Sequence, residues 1–136
     1  MDIDAALEFL GNNHRAVLAT TRADGRPQLS PIVAGPGSEG TVFISSRETA
    51  MKTRNVLRRP EVSLCVLSDG FFGQWVQIDG VAEVIGLPDA LPLLEDYYRT
   101  VSGEHPDWDE YRQAMIEERR VIIAITPLRA GPDRSG

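Results

Sequence analysis

The chain has 136 residues, of which 42% are hydrophobic and 25% are charged, and this composition predicts one globular domain rather than a disordered chain. With 20 acidic and 14 basic residues the formal net charge is −6, which argues against nucleic acid or an anionic membrane as a partner. A single cysteine excludes an internal disulfide, and the two histidines form no zinc motif, so we predict no bound metal. The acidic N-terminus and the absence of an apolar run of about 18 residues predict neither a signal peptide nor a membrane span, and hence a cytoplasmic protein.

The first half of the chain changes from a helical period to an alternating one. Apolar residues at helical spacing predict a helix over residues 3–10, closed by Gly11. Strands are predicted at Ala16–Thr21, Pro27–Ala34 and Thr41–Ser45, with an Asp-Gly hairpin turn between the first two. A helix is predicted from Arg47 to Arg59, because Pro60 ends the helical pattern.

The second half repeats this alternation of strands and helices. It contains predicted strands at Val62–Leu67, at Gln74–Ile85 with a bulge at Asp79-Gly80, and at Val121–Ile125. Two helices lie between the last two strands, one with an apolar stripe from Leu87 to Val101 and one that begins at Asp107. We therefore predict one domain over residues 1–129, a six-stranded antiparallel barrel with peripheral helices, followed by a flexible tail over residues 130–136.

The basic residues are unevenly distributed along the chain. Lys52 is the one lysine among 13 arginines, and residues 47–59 carry a net charge of +4, which leaves −10 for the remainder. The strand-to-helix junction before Lys52 offers backbone N–H groups, the hydroxyls of Ser45 and Ser46, and Arg47, and Ser46 could cap the helix. We interpret this junction as an anion site that suits a phosphate group. A solvated surface helix remains the alternative for Lys52, and for Arg58 and Arg59 we prefer the role of completing a helix end.

No conventional catalytic machinery is evident. His14 has no serine or cysteine partner nearby, and His105 is interpreted as part of the start of a helix. There is neither a P-loop nor a dinucleotide-binding glycine fingerprint. We assign no catalytic residue and expect any chemistry to come from an organic cofactor that the protein positions.

Three stretches resemble a known family. Residues 52–60 (KTRNVLRRP) and residues 18–31 (LATTRADGRPQLSP) resemble the pyridoxamine-phosphate-oxidase-like split β-barrel family. Residues 103–115 (GEHPDWDEYRQAM) are similar to an actinobacterial branch whose members bind the deazaflavin coenzyme F420 in place of flavin mononucleotide (FMN). The resemblance spans roughly residues 5 to 126, and it implies a Greek-key, FMN-binding-like split barrel and a homodimer with two cofactor sites at the subunit interface.

The resemblance also implies a set of site residues. The cofactor phosphate is expected against Lys52, with Ser46 and Arg47 near it. The ring is expected along the Gln28–Ile32 strand, where backbone groups would bond its carbonyl oxygens. The full set of implied residues is Gln28, Leu29, Ser30, Pro31, Ile32, Ile44, Ser45, Ser46, Arg47, Lys52 and Trp75, the last contributed by the partner subunit. Pro31 departs from the family pattern, and since proline has no N–H, this residue cannot donate a hydrogen bond to the cofactor.

The implied function is an F420-dependent oxidoreductase that transfers a hydride from the reduced cofactor to a conjugated small molecule, such as a biliverdin-like compound. Two alternatives stay open. One is an FMN-dependent enzyme of the pyridoxamine-phosphate-oxidase or flavin-reductase type. The other is a non-catalytic protein that binds a cofactor or a tetrapyrrole.

Overall fold

Six antiparallel strands close into a barrel in this computed structural model, which describes residues 1–132. The strands are β1 (Arg15–Thr21), β2 (Pro27–Pro36), β3 (Val42–Arg47), β4 (Glu61–Leu67), β5 (Trp75–Ile85) and β6 (Arg120–Gly131). Their order around the barrel is β1-β2-β3-β6-β5-β4, and every neighbouring pair is antiparallel. The predicted six-stranded antiparallel barrel is therefore confirmed.

Four helices accompany the barrel: α1 (Ile3–Asn12), α2 (Met51–Arg58), α3 (Ala90–Ser102) and α4 (Trp108–Glu117). The carboxylate of Asp2 accepts a hydrogen bond from the N–H of Ala5 at 2.7 Å, and that of Asp107 accepts one from the N–H of Glu110 at 3.1 Å. These bonds satisfy N–H groups that have no partner in the first turn of a helix. Among residues 1–132, no helix is long and apolar enough to cross a membrane.

The barrel interior follows the alternation that the sequence predicts. On β1, Leu18 is completely buried while its neighbours Val17 and Ala19 are half-buried on the outer side. The bulge expected on β5 is present, because the pairing of β5 with β6 shifts between Asp79 and Gly80. Only glycine fits at position 80, since a Cβ atom there would collide with the Thr126 carbonyl.

Three predicted boundaries are wrong. Helix α1 continues through Gly11 to Asn12 and has Asn13 as its C-cap, so Gly11 does not close it. Helix α2 begins at Met51 instead of Arg47, because β3 continues through Arg47, which pairs with Arg120. Consequently the N-cap of α2 is Ala50, and the expected cap Ser46 lies within the strand. Strand β6 runs past Ile125 to Gly131, because it keeps pairing with β5. Of the predicted flexible tail, residues 130 and 131 thus belong to β6, and residues 133–136 lie outside the described part.

Helix α2 is held to the barrel by buried polar side chains. Asn55 is completely buried, and its Nδ2 donates to Thr20 Oγ1 at 3.1 Å. Arg58 Nη2 in turn donates to Asn55 Oδ1 at 2.9 Å and to the Thr21 carbonyl at 3.0 Å. Val56 packs into the core beside this network. Arg58 therefore completes the end of α2, as interpreted from the sequence, and fixes the helix against the end of β1.

We expect Asn55→Ala to destabilise the protein by about 1–3 kcal/mol, because it leaves Thr20 and Arg58 with unsatisfied hydrogen-bonding groups. Urea unfolding of the variant measures this loss. Arg54→Ala is the matched control on the same helix, because Arg54 is exposed and its side chain makes no bond within residues 1–132. Its effect should stay within about 0.5 kcal/mol, and equal losses in the two variants would contradict the anchoring role of Asn55.

Candidate cofactor site

The pairing between β2 and β3 is much shorter than the strands themselves. It comprises only Ala34 with Ile44, Gly35 with Phe43, and Pro36 with Val42. On its other side, β2 pairs with β1 as far as Pro27. Residues 27–33 of β2 and residues 45–47 of β3 therefore border a gap in the barrel wall, which we call the edge opening.

The flanking hydrogen bonds determine which backbone groups face the edge opening. Ala34 N–H donates to the His14 carbonyl at 2.7 Å, and Arg22 N–H donates to the Arg26 carbonyl at 2.8 Å. Backbone groups in an antiparallel pair point alternately towards and away from the partner strand. The even-numbered residues of β2 therefore direct their N–H and C=O groups to β1, and the odd-numbered residues direct theirs to the edge opening.

This alternation divides the predicted ring-binding strand into two sets. Leu29, Pro31 and Val33 direct their backbone groups to the opening, and because proline has no N–H, the donors there are Leu29 and Val33. Val33 was not among the site residues predicted from the sequence. The other predicted residues, Gln28, Ser30 and Ile32, bond towards β1 and offer only side chains.

Tyr97 on α3 marks the point at which the two strands separate. Its hydroxyl donates to the Val33 carbonyl at 2.8 Å and accepts from the Ser45 N–H. Burial raises the pKa of Tyr97, so the hydroxyl stays protonated and remains a donor. Val33 and Ser45 would form the next strand pair, and Tyr97 lies there instead. The sequence analysis assigned Tyr97 to the apolar stripe of α3, and its hydroxyl was the one available indication of this contact.

The β3 side of the opening is formed by alternate residues of the predicted set. Ile44 and Ser46 are buried in the interior. The Thr53 hydroxyl donates to the Arg47 carbonyl at 2.7 Å. Its oxygen therefore accepts the bond from the Ser46 hydroxyl, at 2.8 Å, and these two bonds anchor α2 to β3. Ser45 is half-buried, and its hydroxyl makes no hydrogen bond within residues 1–132. Among the two serines, only Ser45 is therefore available to a ligand.

Lys52 lies in the first turn of α2, close to the β3 side. It is half-buried, and within residues 1–132 its ammonium makes no hydrogen bond or ion pair. Burial lowers the pKa of Lys52, and the nearby charge of Arg120 lowers it further. The N-cap Ala50 gives no side-chain bond to the first turn of α2. An uncompensated cation therefore lies beside free helix N–H groups, an arrangement that favours a bound anion.

Arg120 is a cation that the sequence analysis did not include in the site. It stands opposite Arg47 in the pairing of β3 with β6, and residues paired in this way lie on the same face. Both guanidinium groups bond to Glu118, Arg47 at 3.3 Å and Arg120 at 2.9 Å. Nothing local in the sequence indicates that β6 brings Arg120 back to β3.

Trp75 is the one predicted residue that the fold places away from the edge opening. Val33 pairs with Arg15, Arg15 with Leu67, and Leu67 with Trp75, so the indole lies three strands away from β2. It is 37% exposed on the outer side of the sheet. Within one chain, Trp75 does not close the site.

The chemistry of the site follows from these groups. The opening offers backbone N–H donors along one strand edge and an unpaired ammonium at one end, which fits a flat ring with carbonyl oxygens and an anionic tail. Within residues 1–132, no three His, Cys, Asp or Glu side chains come together in a way that could hold a metal ion.

Comparison with known proteins is consistent with this geometry. The chain is 28% identical over 122 residues to an F420H(2)-dependent biliverdin reductase of Mycobacterium tuberculosis, covering 90% of this chain and 81% of the relative. The fold is similar to that of a conserved hypothetical protein, Rv2991, of M. tuberculosis, with a TM-score of 0.77, 22% identity and coverage of 96% and 82% of the two chains. It is also similar to a structure described as an F420 reductase, with a TM-score of 0.70, 21% identity and coverage of 91% and 94%.

A family match extends over nearly the whole described chain. The sequence matches the family described as Pyridoxamine 5'-phosphate oxidase over residues 3–131, which includes all six strands, the edge opening and Lys52. Together with the barrel order and the open β2 edge, this match shows that the chain belongs to the pyridoxamine 5'-phosphate oxidase family.

Proposed function

We propose that this protein is an F420-dependent oxidoreductase whose cofactor occupies the edge opening, with the phosphate against Lys52. The observation that carries the proposal is Lys52 itself, a half-buried cation for which residues 1–132 provide no counter-charge, on the helix that follows the β3 side of the edge opening. A charge in this position opposes folding unless an anion compensates it. The name of the M. tuberculosis relative supports the deazaflavin over FMN and a tetrapyrrole-like, conjugated substrate.

When bound, reduced F420 supplies a hydride for transfer to an electrophilic carbon of the substrate. The protein's own contribution is positioning. The N–H groups of Leu29 and Val33 would bond ring carbonyl oxygens, while Pro31 offers only an acceptor. Lys52 and the first turn of α2 would hold the phosphate. No residue needs to act as a nucleophile. The protein would accelerate the reaction mainly by holding the cofactor ring and the substrate ring in a reactive geometry.

The proposed enzyme is a homodimer, and an uncovered surface of the barrel supports this. The outer side of β2, β1, β4 and β5 carries apolar residues at matching register positions, and Leu29 and Val33 are 61% and 45% exposed. We call this surface the apolar sheet face; it comprises Val17, Ala19, Leu29, Pro31, Val33, Cys65, Leu67 and Trp75. Two exposed polar residues interrupt this face, Arg15 between Val33 and Leu67, and Gln77 beside Cys65. Exposed apolar residues grouped in this way mark an interaction surface, and a second copy offers the matching surface.

The position of Trp75 indicates how two copies would pack. β2 lies at one side of the apolar sheet face and β5 at the other, with β1 and β4 between them. A two-fold axis parallel to the central strands would place β5 of one copy over β2 of the other. Trp75 of each subunit would then cover the ring site at the edge opening of its partner and exclude water from it.

The phosphate role of Lys52 predicts opposite effects on binding and on folding. We expect Lys52→Met to weaken cofactor binding by about 10- to 100-fold, because a charge-assisted hydrogen bond is lost. The same change removes a partly desolvated cation, so the melting temperature should not fall. Fluorescence titration with F420 and thermal unfolding measure the two effects. Arg54→Met is the control, with an exposed cation removed from the same helix; equal affinities in the two variants would contradict the assignment.

The choice of cofactor and the presence of catalysis require a separate experiment. Protein purified from a host that lacks F420 should be colourless and should bind added F420 more tightly than FMN. Stopped-flow oxidation of reduced F420, with biliverdin and with quinones, should show a substrate that accelerates oxidation. A yellow protein that retains FMN would support the flavin-enzyme alternative. Tight binding of F420 without accelerated oxidation by any substrate would support the non-catalytic binder.

The apolar sheet face predicts the oligomeric state. We expect Val33→Arg to convert a dimer into a monomer, because it would bury within the interface a second positive charge directly opposite Arg15. Light scattering after gel filtration gives the mass, and the rate of Cys65 thiol labelling should rise as the face becomes accessible. Ile116→Arg is the control, since Ile116 is equally apolar and 50% exposed on α4, away from this face. A monomeric unmodified protein would overturn this part of the proposal.

A further inference from the structure

Glu118 makes an unusual set of contacts beside the cation site. It lies at the C-cap of α4, immediately before β6. Its Oε1 atom accepts from Arg120 Nη2 at 2.9 Å, from Arg120 Nε at 3.1 Å and from Arg47 Nη2 at 3.3 Å. One carboxylate oxygen therefore receives three charged N–H donors from two strands, as an oxygen of a bound phosphate could.

Arg120 connects this carboxylate to the proposed cofactor site. It pairs with Arg47 across β3 and β6, and its side chain is only 26% exposed. Its charge acts to lower the pKa of Lys52 and, against the larger effect of burial, that of Tyr97, so the guanidinium lies near both side chains. Three cations lie in this region, Arg47, Lys52 and Arg120. Within residues 1–132, Glu118 is the carboxylate that pairs with both Arg47 and Arg120.

The neighbouring ion pair shows what an ordinary surface pair looks like in this protein. Arg119 Nε donates to Glu48 Oε2 at 3.1 Å, with side chains that are 63% and 58% exposed. In that pair a single donor bonds one carboxylate in solvent, and exposed pairs of this kind contribute little to the stability of the folded protein. Glu118 and Arg120 are less exposed, at 33% and 26%, and Arg120 holds the carboxylate with two donors. Arg120 thus keeps a counter-ion that Lys52 lacks.

We propose that Arg120 is a ligand-binding residue of the site and that Glu118 acts as an internal counter-anion, which an incoming phosphate must displace from Arg47 and Arg120. This inference rests on the proposed function, because it assumes that the ligand's anionic group binds beside Lys52. Without a ligand, the Glu118 carboxylate pairs with Arg47 and Arg120. A phosphate must replace it there, so the affinity of the site for phosphate is lower than it would be without Glu118. The competing group belongs to the chain, so the site discriminates against weakly charged ligands.

The opposite signs of two substitutions test the proposal. Glu118→Gln keeps the size of the side chain and removes the competing charge, so F420 and FMN should bind about threefold or more tightly. Arg120→Gln removes a donor and should weaken binding of both by about tenfold or more. Glu117→Gln is the matched control, because it removes the same charge one residue along the chain. The Glu117 carboxylate accepts a hydrogen bond from Gln113 instead of from the two arginines. Riboflavin, which has no phosphate, should bind the unmodified and Glu118→Gln proteins equally.

The competing interpretation is that Glu118 only orients the two arginines. In that case Glu118→Gln would bind FMN and F420 no more tightly than Glu117→Gln does, and this result would overturn the proposal. Inorganic pyrophosphate, titrated by calorimetry, separates this result from failure of the proposed function. If neither FMN nor F420 binds the unmodified protein but pyrophosphate binds more tightly to Glu118→Gln, the anion site stands and the cofactor assignment fails. Unchanged pyrophosphate affinity in Glu118→Gln counts against the counter-anion role.

Discussion

The early end of the ladder between β2 and β3 is the constraint on which the site depends. A closed barrel has no free strand edges, because each strand bonds to a neighbour on both sides. Here the pairing stops at Ala34 and Ile44, and two short stretches of edge remain open. Backbone groups left this way need another partner, and at the point of separation the Tyr97 hydroxyl provides one for the Val33 carbonyl. A local interruption of the barrel thus leaves backbone donors for the proposed cofactor site, while the other strand pairings preserve the fold.

Helix α2 combines stabilising and functional side chains within three turns. Thr53 and Asn55 are completely buried and bond to β3 and β1, so the helix cannot shift without breaking these bonds. Lys52 is half-buried, and residues 1–132 provide no counter-charge for it, an arrangement that opposes folding. The buried polar residues therefore fix the backbone from which this cation extends.

The sequence was informative where structure depends on local pattern. The alternation on β1 and β4, the bulge near Gly80 and the cap at Asp107 are all consequences of neighbouring residues, and Lys52 stood out by composition. The start of α2 was wrong because the extension of β3 through Arg47 depends on Arg120, far away in the chain. Tyr97 and Arg120 were missed for the same reason. Tyr97 lies on a helix that local pattern predicts, and Arg120 is the first residue of β6, just outside the predicted strand Val121–Ile125. The contacts of both residues arise only when the barrel closes.

Strand β2 has two roles that connect the proposed dimer to the proposed cofactor site. The backbone groups of Leu29 and Val33 face the edge opening, while their exposed side chains belong to the apolar sheet face. A second copy packed on that face would fix the strand whose N–H groups bind the ring. Ligand binding and dimerisation would then share one element, and by linkage each must strengthen the other. In the proposed dimer, the partner that covers the apolar sheet face would also close the proposed cofactor site, so the incomplete barrel edge and the apolar surface beside it would be covered together.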